Sequence, residues 1–155
     1  MAEGESKVVS GNKYVAIAQG FMGSLPQARA LGLQVLDVGQ GMAQMRLPYA
    51  ARLVADADTG VLHNGAIATL IDTCCGVAAV SHPALGQVTA TLDLRLDYLR
   101  AATAGQDITV TARVLRVERS VAFVQAQAFD ADGDNPVVTA TAVFTAVATP
   151  AAKGA

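Results

Sequence analysis

One segment restricts the possible folds more than any other. Residues Asn64 to Ser81 read NGAIATLIDTCCGVAAVS, and Asp72 is the one acidic or basic side chain among them. The Ala, Leu and Ile content favours helix, and the alternation of a strand is absent. Ala66, Ile67, Ala68, Leu70, Ile71, Val77, Ala78, Ala79 and Val80 set apolar groups nearly all round that helix. A helix apolar on every side is expected to be buried on every side. Pro83 and Gly86 end it.

The flanking residues must supply the enclosure. Upstream, Tyr14 to Leu31 has a helical pattern broken around Gly20, Gly23 and Pro26. This predicts one short helix before Gly23 and a second from Pro26 to Leu31, with Gly32 as its stop. Leu33 to Val38 and Met42 to Leu47 are short strand candidates around Gly39-Gln40-Gly41, and Pro48 ends the second. Arg52 to Val54 is a third short strand piece, followed by a loop from Ala55 to Gly60. Downstream, Val88, Ala90, Leu92, Leu94, Leu96 and Tyr98 alternate with Thr89, Thr91, Asp93, Arg95 and Asp97. That strict period of two is the strongest strand signal in the chain. Ile108 to Val117, Val121 to Phe129 and Val137 to Val147 follow, joined by a turn at Glu118-Arg119-Ser120 and an Asp- and Gly-rich turn over Asp130 to Pro136. Val138, Ala140, Ala142 and Phe144 share one face of the last strand.

Helix and strands segregate, so the class is α+β, with a long antiparallel meander after the helix. A helix apolar all round needs a sheet that curls about it, which is the hotdog arrangement. The 155 residues suit one domain. Its expected limits are residues 14–148, between a loose N-terminal segment, 1–13, and a loose C-terminal tail, 149–155.

Charge and composition exclude several classes of partner. The net charge is −2 and aromatic residues are 5% of the chain, without Trp. There is neither the basic stripe nor the stacking platform that a nucleic acid requires. The two cysteines, Cys74 and Cys75, are adjacent and cannot bridge without strain, which favours a reducing compartment. The polar N-terminal residues lack the apolar core of a signal peptide, and the apolar run around Asp72 falls short of a membrane span. A cytoplasmic protein with no membrane partner is expected. The 52% hydrophobic content exceeds what a monomer of this length needs, and suggests apolar surface shared between subunits.

Asp72 is the chemical oddity. An unpaired carboxylate inside an apolar helix is costly, so it either meets hydrogen bonds from a polar stripe with Thr69 and Thr73 or serves a reaction. The second feature is Gly60-Val61-Leu62-His63-Asn64-Gly65, just before the helix. Asn64 is a plausible N-cap, and Gly65 allows close approach to the first backbone amides, which can stabilise a developing oxyanion. The same pattern also fits an ordinary capped helix start. Cys74 and Cys75 lack a partnered base and read as small core residues. His63 and His82 are the only histidines, and no spacing fits a metal site. Arg95, Arg100, Arg113, Arg116 and Arg119 are strand-region cations that could meet phosphates or simply face water.

Leu62-His63-Asn64-Gly65-Ala66-x-x-x-Thr69-Leu70-x-Asp72 resembles the Leu-His-Gly-Gly-x-x-x-x-Leu-x-Asp signature of the phenylacetate-degradation (PaaI-type) hotdog thioesterases. Thr91-Leu92-Asp93-Leu94-Arg95-Leu96-Asp97-Tyr98-Leu99-Arg100 is similar to the strand that follows the helix in that family. The similarity runs from about Gly32 to Ala146. It implies hydrolysis of acyl-CoA or aryl-CoA thioesters without a cofactor. It implies Asp72 as general base or nucleophile, the Gly65 amide as the group that polarises the thioester carbonyl, and His63 as support for that turn. Thr91 would hold water or substrate. It also implies a homodimer, paired further into a homotetramer, with each Asp72 facing the helix start of the other subunit.

The chain departs from the family pattern at two places. Asn64 stands where the family has the first Gly of the pair, and Asp56 and Asp58 occupy a loop where relatives carry an Asn. These departures motivate the alternative of an acyl-CoA-binding protein without turnover. A dehydratase of the same fold would pair its carboxylate with a catalytic His, and only His63 is near in sequence.

Overall fold

The computed structural model describes residues 13–85 and 89–147. Helices α1 (Lys13–Ser24) and α2 (Pro26–Leu31) precede strands β1 (Gln34–Gly39) and β2 (Met42–Leu47). A 3₁₀ turn at Ala51–Leu53 leads to helix α3 (Asn64–Ser81). Strands β3 (Thr89–Tyr98), β4 (Ile108–Glu118), β5 (Val121–Phe129) and β6 (Val138–Ala146) complete the domain.

The strands form one antiparallel sheet in the order β1-β2-β4-β5-β6-β3. Helix α3 touches all six strands. Six strands spaced by about 4.8 Å would span some 24 Å if flat, against a helix roughly 10 Å across. A single helix reaches every strand only if the sheet curls around it. The expected α+β hotdog architecture is what the chain adopts, with the sheet left open rather than closed into a barrel.

Ile67, Leu70, Ile71, Cys74, Cys75, Ala78 and Ala79 of α3 are buried against alternate residues of the strands, including Met45, Val110, Val124 and Phe144. Each of the larger aliphatic side chains contributes roughly 1.5–3 kcal/mol of transfer free energy. The enclosure is incomplete, however. Ala68, Thr69, Asp72, Thr73, Gly76 and Val77 are only half-buried, and Val80 is exposed. The open stripe follows from topology. Strand β3 does not join a meander with β4 but crosses to the far edge, where it pairs with β6, for example Leu96 with Ala140. Among the described residues no strand lies beyond β3, and the helix face above it is left uncovered. By length and composition alone α3 could cross a membrane, which corrects the shorter run read from the sequence; 44% of that window is buried inside the fold.

Three local readings change. Helix α1 runs through Gly20 and Gly23, since a glycine inside a helix costs only about 1 kcal/mol relative to Ala and does not by itself end it. Arg52 lies in the 3₁₀ turn rather than a strand, and Val54 makes only an isolated bridge to Leu62. In β3 a bulge between Thr91 and Asp93 shifts the alternation, so Leu92 is 60% exposed. The expected contributions of Gly86 and Val88, most of the N-terminal segment and all of the C-terminal tail lie outside the described residues.

Candidate active site

The start of α3 is built by a tight hairpin. Ala55 N–H donates to Val61 O and His63 N–H to Leu53 O, each at 2.8 Å. Gly60 takes φ +68°, and its carbonyl accepts the Tyr49 hydroxyl at 2.8 Å. That conformation favours glycine. The hairpin delivers His63, not Asn64, as the N-cap. Nδ1 of an imidazole lies two bonds beyond Cβ, as the side-chain oxygen of Asn does, so it accepts from the backbone in the same way. Here it accepts the Gly65 N–H at 2.9 Å, while His63 O accepts the Ala66 N–H at 3.0 Å. A Cβ added at Gly65 would sit 2.9 Å from His63 Nδ1. The close approach that Gly65 permits is therefore that of the His63 ring.

The expected Gly65 amide has a partner within the chain. Gly65 N–H is occupied by His63, whereas the Asn64 N–H meets no acceptor among the described residues. The Asn64 side chain is exposed, and its carbonyl accepts the Tyr98 hydroxyl at 3.1 Å. A cleft of about 430 Å³ opens here, lined by Ala55, Val61, Leu62, His63, Asn64 and Tyr98, with Arg100 and Ala101 at its side. Asp56 and Asp58 do not line it; Asp56 Oδ1 instead accepts the Asp58 N–H at 3.1 Å within the exposed turn.

Asp72 lies two turns further along α3, half-buried on the open stripe. Thr91 Oγ1 of β3 donates to Asp72 Oδ1 at 2.8 Å. The other threonines of the stripe do not satisfy the carboxylate. Thr69 donates to Gly65 O at 2.9 Å and Thr73 to Thr69 O at 2.7 Å. Among the described residues Asp72 has no cationic partner. The chain therefore forms two clusters, His63-Asn64-Gly65 and Asp72-Thr91. Seven residues of helix separate Gly65 from Asp72, or about 10 Å along the axis. The two clusters therefore stand about two helical turns apart within one subunit.

The remaining candidates resolve on their contacts. Arg100 Nη1 and Nη2 hold both oxygens of Asp130, at 2.7 and 2.8 Å, and its other donors go to Asn135 O and Ala101 O. With its fork filled, Arg100 is a strut and not a phosphate ligand. The Arg100 hydrogen bonds hold the Asp130 carboxyl well below the usual range, against the opposing effect of burial. Arg95 and Arg116 pair with Asp97 and Glu118 on the exposed surface. Burial, and then the nearby Asp72, push the Cys75 thiol up to about 12; burial raises Cys74 as well, so neither supplies a thiolate. No metal-holding group of His, Cys, Asp or Glu occurs among the described residues. Tyr98, which the sequence marks only as a strand residue, lines the cleft, and Arg100, a candidate phosphate contact by sequence, pairs with Asp130.

Known proteins resemble this chain in sequence and fold. Residues 59–137, about half of the chain, match the sequence model of the thioesterase superfamily. The medium/long-chain acyl-CoA thioesterase YigI of Salmonella typhimurium is 27% identical over 141 residues, covering 83% of this chain and 90% of its own. A Pseudomonas aeruginosa protein of known crystal structure is 31% identical with a TM-score of 0.77, over 86% of this chain and 99% of that one. The Escherichia coli PaaI protein of the phenylacetic acid degradation operon has the same fold, with a TM-score of 0.76 over 87% of this chain and 94% of its own, at 19% identity.

Proposed function

Because this chain belongs to the thioesterase superfamily, we propose that it hydrolyses acyl-CoA thioesters to a free acid and coenzyme A, with Asp72 as the reacting carboxylate. The observation that carries this reading is the Asp72 carboxylate itself. It is fixed at one oxygen by Thr91, unpaired with any described cation, and set on the helix face that the sheet leaves open. A carboxylate so placed removes a proton from water as that water adds to the thioester carbonyl, or adds to the carbonyl itself. Either route breaks the carbon–sulfur bond, and the coenzyme A thiolate leaves and takes up a proton; in the second route water then hydrolyses the Asp72 acyl anhydride, which frees the acid and restores the carboxylate. The negative charge that builds on the carbonyl oxygen needs a donor, and the Asn64 N–H at the start of α3 is placed to give it. No redox group or metal is needed to balance this reaction.

The 10 Å gap along α3 leads to the second part of the proposal. The active unit is a homodimer in which Asp72 of one subunit serves the helix start of the other, with two such dimers forming a tetramer. Supporting this are the edge position of β3 and the exposure of Leu92 and Leu99 on and just beyond it. Medium- and long-chain acyl-CoA esters, the substrates named for the Salmonella relative, are the first class expected, ahead of aryl-CoA esters.

Binding without turnover is the second reading. The observation that favours it is that His63 closes the Gly65 amide. A free-thiol release assay over a panel of acyl- and aryl-CoA esters separates the two. Tight binding by calorimetry without thiol release from any ester would replace the first reading with the second.

A further inference from the structure

The start of α3 is tied to the edge strand by a contact that the reaction above does not use. Tyr98 is the last residue of β3, paired with Val138 of β6, and its hydroxyl reaches across to Asn64 O at 3.1 Å. Asn64 O and Gly65 N–H belong to one peptide unit. Its N–H donates to His63 Nδ1 at 2.9 Å. That peptide plane is thus held at both ends, by a phenol on one side and an imidazole on the other. The Asn64 N–H belongs to the preceding peptide unit, which joins this plane at the Asn64 Cα, so anchoring the plane restrains the backbone rotation that would swing that N–H.

Tyr98 is itself held in place. Two residues on, Arg100 locks the end of the strand to the β5–β6 loop through both oxygens of Asp130, whose carboxylate is inaccessible to solvent. Leu99 N–H donates to Val137 O at 2.9 Å on the same stretch. Partial burial raises the Tyr98 hydroxyl above its ordinary range, so it stays protonated and remains a donor at neutral pH. The phenol also forms part of the cleft wall with His63 and Asn64.

From this geometry we infer that Tyr98 is a positioning residue for catalysis: its hydroxyl fixes the Asn64–Gly65 peptide and so aims the helix-start amide at the thioester carbonyl. The inference rests on the function proposed above. Its effect belongs in the transition state, where charge on the carbonyl oxygen is largest, and not in ground-state binding.

Tyr98→Phe removes the hydroxyl and keeps the ring. We expect kcat to fall about tenfold, KM to change less than about twofold, and the melting temperature to stay near that of the parent. An unchanged kcat in the folded variant overturns the inference, as does a loss confined to KM. A second readout does not need turnover. In a ¹H–¹⁵N correlation spectrum of the full chain, Tyr98→Phe should shift the Asn64 and Gly65 amide resonances and leave that of Ala84, capped by His82 at the far end of α3, in place. If the Asn64 and Gly65 resonances do not move, the tie is absent. If they move while the parent protein hydrolyses no ester, the tie stands and the proposed reaction fails instead.

Discussion

Thr91 Oγ1 donates a 2.8 Å hydrogen bond to Asp72 Oδ1, joining the edge strand of the sheet to the middle of the core helix. One carboxylate oxygen is thereby fixed and the other left for chemistry. Asp72→Asn keeps the shape and the contact but removes the basic oxygen. Turnover of acyl-CoA should fall by roughly 10²–10⁴, with circular dichroism and oligomer size unchanged. A variant as fast as the parent would make Asp72 a structural residue.

The hydroxyl of Thr91 can be tested apart from its methyl group. Thr91→Val loses the donor and keeps the volume, whereas Thr91→Ser keeps the donor. The valine variant should lose about tenfold in kcat and the serine variant less than about threefold, since a hydrogen bond to a charged group is worth about 1.5–3 kcal/mol. Equal losses in the two variants would mean that packing, not the hydrogen bond, explains Thr91.

Much of this was legible in the residues, because the core patterns leave little freedom. The limits of α3 and of β2 and β5 follow from periodicity and from Pro48 and the Glu118-Arg119-Ser120 turn. Topology was less legible: alternation in β3 says that a strand exists but not that it pairs with β6, since strand partners carry no local signal. The open face of α3 was hidden for the same reason. At the site, the sequence singled out His63, Asn64, Gly65, Asp72 and Thr91, and the structure groups them into two clusters. The role of His63 as cap is not readable from sequence, because imidazole and carboxamide satisfy the same capping geometry. Tyr98 stayed hidden because its partner is a backbone carbonyl 34 residues away.

Leu70 is fully buried between α3 and the sheet. Leu70→Ala should destabilise the fold by ~2–5 kcal/mol, the range for large-to-small core changes. Urea titration checks this, and an unchanged midpoint would contradict a core centred on α3.

The Asp130–Arg100 pair predicts an acid response. The Asp130 carboxyl is held below its ordinary range, chiefly by the Arg100 hydrogen bonds. A carboxylate with a depressed folded-state pKa stabilises the protein at pH above its unfolded value, about 3.9, and that contribution is lost as pH falls further toward the folded value. Asp130→Asn should therefore lower stability at pH 7 by ~1–3 kcal/mol and flatten the fall in melting temperature below about pH 4. Parallel acid limbs for parent and variant would show that other carboxylates govern acid unfolding.

The separation of Asp72 from the start of α3 gives the most demanding prediction. If the two clusters meet only across a two-fold interface, two inactive variants should rescue each other. Asp72→Asn lacks the carboxylate. Gly65→Val places branched carbon where even a lone added Cβ would sit 2.9 Å from His63 Nδ1, and so displaces the cap and disorders the helix start. In a mixed dimer one site carries both defects and the other carries neither. Random pairing of equal amounts makes half of the dimers mixed, so about a quarter of all sites should regain activity. Unfolding and refolding the mixture together, followed by the thiol-release assay, measures this against each variant refolded alone. Light scattering on the same samples should report dimers or tetramers. Absence of rescue from correctly assembled mixed dimers would place the whole site within one chain, and a fully active monomer would remove the shared site altogether.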